Sequence, residues 1–313
     1  MMTDLMDTAR EIVRQWAFVL AVSPILPGIV AKTKAWFAGR RGPPLLQPYR
    51  DIFKLFRKGA VYSRTTTWLF RAGPVVSFSA ALAATLIIPL GGMESPLTFQ
   101  GDLILFAYLW GLSRFFTMTA ALDTGSAFEG MGASREAAFS CLAEPALLLG
   151  LLALAREAGS FSMSDVLSVG LIRIWSIHAP ALCLVTAAFL VVFLTENSRI
   201  PVDDPNTHLE LTMIHEVMVL DHGGPDLALI EYGSAVKFFA LGALLVRIVC
   251  PIRSGGFWEG GAALVIGLAA LSVLVGVIES TMARLRLSRI PQLLALSFVL
   301  SGFGVILTLA AGS

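Results

Sequence analysis

About eight runs of roughly 20 mostly apolar residues recur along this 313-residue chain, near Ile12–Ala31, Trp68–Leu90, Leu103–Ala121, Ala137–Ala155, Trp175–Thr195, Tyr232–Cys250, Phe257–Glu279 and Ile290–Ala311. A run of that length crosses a hydrocarbon core about 30 Å thick when it is helical, and in lipid the helix satisfies every backbone N–H and C=O within the segment. Composition excludes the soluble alternative. Hydrophobic residues make up 56% and charged residues 14% of the chain, with mean hydropathy +0.77, whereas soluble domains carry about 25% charged residues. The expected fold is all-α: a polytopic integral membrane protein, one transmembrane domain over 1–313.

Charge then orients it. The first connection, 32–67 with its flank to Arg71, holds ten bases (Lys32, Lys34, Arg40, Arg41, Arg50, Lys54, Arg57, Lys58, Arg64 and Arg71) against one acid, Asp51. The positive-inside rule places it in the cytoplasm. Both termini then lie outside the cytoplasmic (inner) membrane, and the polar loop 122–136, the acidic loop 196–231 and the segment 280–289 are cytoplasmic. No small-residue cleavage site follows the N-terminal stretch, so it reads as retained. Within 32–67, Ile52, Phe53, Leu55 and Phe56 alternate with Arg50, Asp51, Lys54, Arg57 and Lys58 as on an amphipathic helix at the bilayer interface.

The acidic loop is the most unusual stretch. Glu196, Asp203, Asp204, Glu210, Glu216, Asp221, Asp226 and Glu231 sit among long apolar runs with Arg199 as the one local base. Asp204 before Pro205 is a helix-start pattern, predicting a helix from Pro205 to Leu220. Asp203 is then free to point into a cavity, with Arg199 as its counter-charge. Further charges fall within the spans: Arg114, Glu144, Lys237 and Arg247. Such residues cost about 2.5–3.5 kcal/mol each at a span centre and face the bundle interior, water or an opposite charge. Arg247, near a span end, is expected to snorkel to the interface; Arg114 reads as an ion-pair partner, and Glu144 and Lys237 as parts of an internal polar pathway.

Metal and redox chemistry are not expected of this chain. Cys141, Cys183 and Cys250 are far apart, with no CxxC pair, and read as packing residues. His208, His215 and His222 are spaced by seven, about 10 Å along a helix, too far for one metal. His208 among carboxylates is better suited to titration. No nucleotide or nucleic-acid motif is present.

Three blocks carry a resemblance. ENSRIPVDDPNTHLELTMIHEVMV in the acidic loop, RRGPPLLQPYRDIFKLF in the first connection and DTGSAFEGMGASRE in the polar loop resemble the corresponding stretches of the membrane-subunit family shared by group 4 NiFe hydrogenases and respiratory complex I. The likeness is nearer the hydrogenase branch, because Asp204, His208 and Glu210 stand where the complex I loop has a run of glutamates. The resemblance implies a non-catalytic membrane-anchor and coupling subunit. Its NiFe centre and iron–sulfur clusters would be held by partners: hydrogenase large and small subunits, iron–sulfur proteins and antiporter-like membrane subunits. Proton or ion coupling falls to Glu144, Glu196, Arg199, Asp203, Asp204, His208, Glu210, Glu216, Glu231 and Lys237. Docking of the peripheral arm, or a cavity beside it, falls to Arg41, Gln47, Asp51, Lys54, Asp123, Glu129 and Arg135. Two alternatives stay open: a quinone-binding subunit of a complex I-like enzyme, and a stand-alone ion transporter.

Overall fold

The computed structural model describes residues 2–91, 95–168, 170–203, 213–251 and 256–311. Among them the chain is helical, with no strand: α1 (Met2–Val22), α2 (Ile25–Phe37), α3 (Gln47–Phe56), α4 (Trp68–Thr85), α5 (Asp102–Asp123), α6 (Ala127–Ala158), α7 (Met163–Val166), α8 (Gly170–Glu196), α9 (Pro225–Val249), α10 (Phe257–Thr281) and α11 (Ile290–Ala311). Seven segments among the described residues are long and apolar enough to cross a membrane, α1 and α2 counting as one from Met6 to Phe37. The 18-residue α4 packs between α5 and α9 and brings the bundle to the expected number of about eight. Helix α9 lies at the centre, with Ala235, Val236 and Phe238–Ile248 all buried.

The first span is broken where its prolines require it. Pro24 has no N–H to give to the carbonyl of Leu20, four residues back. The Tyr232 hydroxyl, from α9, donates to that carbonyl at 2.8 Å, and the Tyr49 hydroxyl, from α3, donates to the carbonyl of Ala21. The break is thus tied to the two elements beside it. Tyr232→Phe is expected to lower stability by about 0.5–1.5 kcal/mol, the worth of one such bond. Denaturant unfolding in detergent, against a Tyr108→Phe control on an exposed position, measures it.

The polar loop is shorter than 122–136. Helix α6 begins at Ala127, so Asp123 ends α5 and only residues 124–126 connect the two. Gly125, at φ +70°, makes the turn. Gly132 is helical and serves packing: a Cβ there would lie 2.9 Å from Met218 Cγ and 3.0 Å from the Ile214 carbonyl. At 32 residues α6 spans about 48 Å, more than the hydrocarbon core, and so its first turns reach beyond the bilayer to pack on the acidic connection.

That connection is also shorter than 196–231. It runs from the end of α8 at Glu196 to the start of α9 at Pro225, which places Asp226 and Glu231 on a helix. Most of the helix expected over Pro205–Leu220, with its cap Asp204, lies outside the described residues; in the part that is described, Glu216–Val219 form a single 3-10 turn rather than an α-helix.

Two further expectations are corrected. Arg247 does not snorkel. It is 4% exposed and donates to the carbonyls of Gly91 at 2.6 Å and Leu167 at 2.7 Å. Chain turns bring those acceptors within reach of a side chain already enclosed by the bundle, which the interface cannot offer. Cys141, Cys183 and Cys250 do not pack inside; all three are exposed on the surface of the chain.

Candidate functional site

The buried charges converge on Arg114 of α5. Its guanidinium, 6% exposed, donates through Nε to Glu136 at 3.0 Å, through Nη1 to Glu144 and through Nη2 to Glu196. Glu136 and Glu144 come from α6 and Glu196 from the last residue of α8. A planar fork with five donors suits this arrangement, since it presents N–H groups in three directions while remaining charged. Lys237 of α9 meets the second oxygen of Glu196 at 2.7 Å. Glu144 and Lys237, expected to share an internal polar pathway, are therefore in one cluster with Glu196 of the acidic loop. Glu144 alone leaves the interior: its side chain is 46% exposed on the flank of the bundle.

From Glu136 the chain of pairs continues to the acidic connection. His215 Nε2 lies 3.3 Å from Glu136 and Nδ1 lies 4.0 Å from Asp203. Asp203 is 1% exposed, accepts from the amides of Ile214 and His215 at 3.1 and 3.2 Å, and pairs with Arg284 at 2.8 Å. It does not line the cavity, and its basic partner is not Arg199. That assignment is corrected: Arg199 faces Glu279 of α10 at 3.5 Å, and Glu279 also takes Lys34 at 2.7 Å. The reason is geometric, since Asp203 turns back under the 213–215 backbone while Arg199 points across to α10.

A cavity of about 230 Å³ adjoins these groups, lined by Glu196, Arg199, His215, Glu216, Glu231 and Lys237 among others. Asp204, His208 and Glu210 lie outside the described residues.

The residues assigned to docking divide in two. Arg41, Asp51 and Lys54 are exposed, and Gln47 is partly so, donating to Asp51 at 2.9 Å on the outer face of α3. The other three hold the chain to itself. Asp123 caps α4, accepting from the Thr67 amide at 2.6 Å, the Thr67 hydroxyl at 2.8 Å and the Phe70 amide at 3.3 Å. Glu129 is fully buried and accepts from the Asp221 amide at 3.1 Å. Arg135 donates to the Met213 carbonyl at 2.9 Å. The last two bind the acidic connection to α6.

His222 locks the other end of that connection. Its ring stacks on Phe70 at 3.9 Å and 8°, and Gly224 passes so close that a Cβ would meet the Gly59 carbonyl at 2.6 Å. Burial pushes the imidazole pKa down, against the pull of Asp226 and Asp221. The folded state therefore prefers the neutral ring. Local stability is full above about pH 6.5, the ordinary value, and is lost as pH falls through the lower folded pKa. Protection factors of the amides in residues 217–226, that is, exchange corrected for its intrinsic pH dependence, are expected to fall as pH drops below about 6.5, and His222→Phe to abolish that fall.

Sequence reasoning missed Glu136, which it placed in a loop, His215, which it treated as a polar helix position, and Glu279, Lys34 and Arg284. One signal was available. Arg114 within a span demands an acidic partner, and the acids nearest in depth on other spans are few.

Fold and site together define a class: a polytopic membrane protein with an ionisable interior and a cavity where its acidic connection begins. A family model described as NADH dehydrogenase matches residues 11–310. The chain belongs to that family, the membrane subunits shared by group 4 NiFe hydrogenases and respiratory complex I. It is 34% identical over 301 residues to formate hydrogenlyase subunit 4 of Escherichia coli K12, covering 94% of this chain and 96% of the relative. Hydrogenase-4 component C of the same organism is 33% identical over 296 residues, 92% and 91% of the two chains. A subunit of the NADH-quinone oxidoreductase of Rubrobacter xylanophilus is 30% identical over 249 residues, 77% and 72%. Among solved structures, a chain of the membrane-bound sulfane sulfur reductase, an archaeal respiratory membrane complex, shares the fold with a TM-score of 0.81 at 23% identity, over 96% of this chain and 99% of that one.

Proposed function

We propose that this chain is the membrane-anchor and ion-coupling subunit of a formate hydrogenlyase-like, group 4 NiFe hydrogenase complex in the inner membrane, with both termini outside. The observation that carries the reading is the line of pairs Arg284–Asp203–His215–Glu136–Arg114–Glu144, with Glu196 and Lys237 attached at Arg114. It runs from the acidic connection, on the side where a peripheral arm would dock on Asp51 and Lys54, to the flank of the bundle, where an antiporter-like subunit would meet Glu144. Arg114 and Arg284 stay charged at all working pH values and act as fixed counter-charges. His215, between two carboxylates, can accept a proton at one ring nitrogen and release one from the other. A change of charge at a redox centre held by a partner subunit would shift whether Asp203 or Glu136, on either side of His215, holds the proton.

The NiFe centre and iron–sulfur clusters of such a complex, which supply the electron transfer, belong to partner subunits. This chain's three thiols stand on, or at the end of, separate helices and suit no cluster. The relationship to an NADH-quinone oxidoreductase favours a second reading, in which the cavity takes a quinone head group.

Purification through a tag on this chain, with the associated subunits identified by mass, tests the proposal. A large subunit bearing two CxxC pairs, together with hydrogen evolution, is the expected result. A large subunit lacking them, with quinone-dependent turnover, favours the second reading; ion flux by the chain alone in proteoliposomes would instead make it a transporter.

A further inference from the structure

A second site lies apart from the charge network, on the outer flank of α2 and α10. A groove of about 480 Å³ runs between the two helices, walled by Trp36, Val273 and Val277 and rimmed by Lys32, Arg40 and Arg41. The chain builds this rim. Helix α2 ends at Phe37, Gly39 turns at φ +66°, and Gly42, again at φ +66°, brings the chain back against Ala35. Arg40 and Arg41 are thereby folded beside Lys32 instead of extending away from it.

The floor is closed. A Cβ on Gly276 would lie 2.6 Å from Thr33 Cβ and 3.2 Å from the Val30 carbonyl, so the helices touch there and the groove opens only outward. Its apolar wall continues along α10 into the exposed residues Leu274 and Ile266, the latter 71% exposed, a face suited to acyl chains. Trp36, 75% exposed, sits at the junction of the cationic rim and this wall, the depth at which indole rings concentrate in bilayers.

Charge decides what fits. Among the described residues no carboxylate pairs with Lys32, Arg40 or Arg41, because Glu279, the acid on the neighbouring turn of α10, is taken by Lys34 and Arg199 inside the bundle. Three cations unopposed at the mouth of an apolar groove between membrane helices match a phosphate head above hydrocarbon chains. We propose that the α2–α10 groove is a binding site for one anionic phospholipid of the cytoplasmic leaflet, its phosphate held by Lys32, Arg40 and Arg41 and its acyl chains laid along Trp36, Val273 and Val277. A zwitterionic lipid carries its own cation into the rim and is disfavoured. The site stands independently of the coupling reading, and it assigns Arg41 to lipid in place of the peripheral arm.

The intact complex, reconstituted in vesicles, is photolabelled with phosphatidylglycerol or with phosphatidylcholine carrying the same acyl-chain diazirine, and labelled peptides are mapped by mass. Each base near an anionic lipid surface is worth roughly a fivefold gain, so residues 32–41 and 273–277 should favour the phosphatidylglycerol probe by at least about tenfold. The triple variant Lys32→Gln/Arg40→Gln/Arg41→Gln should fall to the phosphatidylcholine level, and Arg40→Lys/Arg41→Lys, which keeps the charge, should retain the preference. Equal labelling by the two probes, or an unchanged preference in the triple variant, overturns the proposal. So does a groove that takes no label while Ile266 and its neighbours on α10 are labelled, since a protein partner is then the occupant.

Discussion

Arg114→Met is expected to abolish accumulation of the assembled protein. The substitution leaves an unbranched apolar side chain and removes one cation from among Glu136, Glu144 and Glu196, of which Glu136 and Glu196 are buried. Lys237 would remain for Glu196 alone. Breaking a buried ion pair by removing one partner costs about 3–5 kcal/mol, a large part of the roughly 5–15 kcal/mol that a folded protein has in total. Here three carboxylates lose the same partner. Arg114→Lys should fare better without matching the wild type: an ammonium keeps the charge but cannot reproduce three bonds directed by a rigid fork. Membrane levels of the chain and its unfolding midpoint in detergent measure the order, wild type above Lys above Met. Wild-type levels of a fully stable Met variant would mean that the three acids are neutral and that Arg114 organises nothing.

How far such partnerships can be read from sequence depends on the distance over which the information is local. The spans are local: each is an apolar run whose length is dictated by the bilayer, and α5, α8, α10 and α11 fall close to where they were expected. The amphipathic α3 is local as well, since Ile52 turns inward while Phe53, Lys54 and Arg57 stay out. Helix starts beyond the bilayer were harder. Residues 127–136 hold two glycines and four polar or charged groups, a composition that suits a loop in isolation; they are helical because Gly132 lets α6 close on Met218. Partner choice among charges is not local. Arg199 is the base nearest Asp203 in sequence, yet Arg284 reaches it from 81 residues away, and Glu279 takes Arg199 from 80 residues away. Charge pattern along a chain gives the inventory of ions, and only the packing of α8 against α9, with α10 alongside, assigns the pairs.

Glu144→Gln should uncouple the complex while leaving it assembled. Glu144 is the one member of the Arg114 cluster with a half-exposed side chain, and Arg114 keeps Glu136 and Glu196 when it is neutralised. The amide preserves size and can accept the Nη1 hydrogen bond, so the cost in stability is small. It cannot carry a proton. If protons or sodium ions pass from the Asp203–His215–Glu136 chain to a neighbouring subunit through this residue, electron transfer in the peripheral arm continues while translocation stops. The decisive measurement is the number of ions moved per electron by the intact complex in sealed vesicles, wild type against Glu144→Gln. The account predicts that this ratio falls towards zero in the variant with hydrogen evolution retained; an unchanged ratio at full activity would contradict it, and would make the buried charges a structural frame.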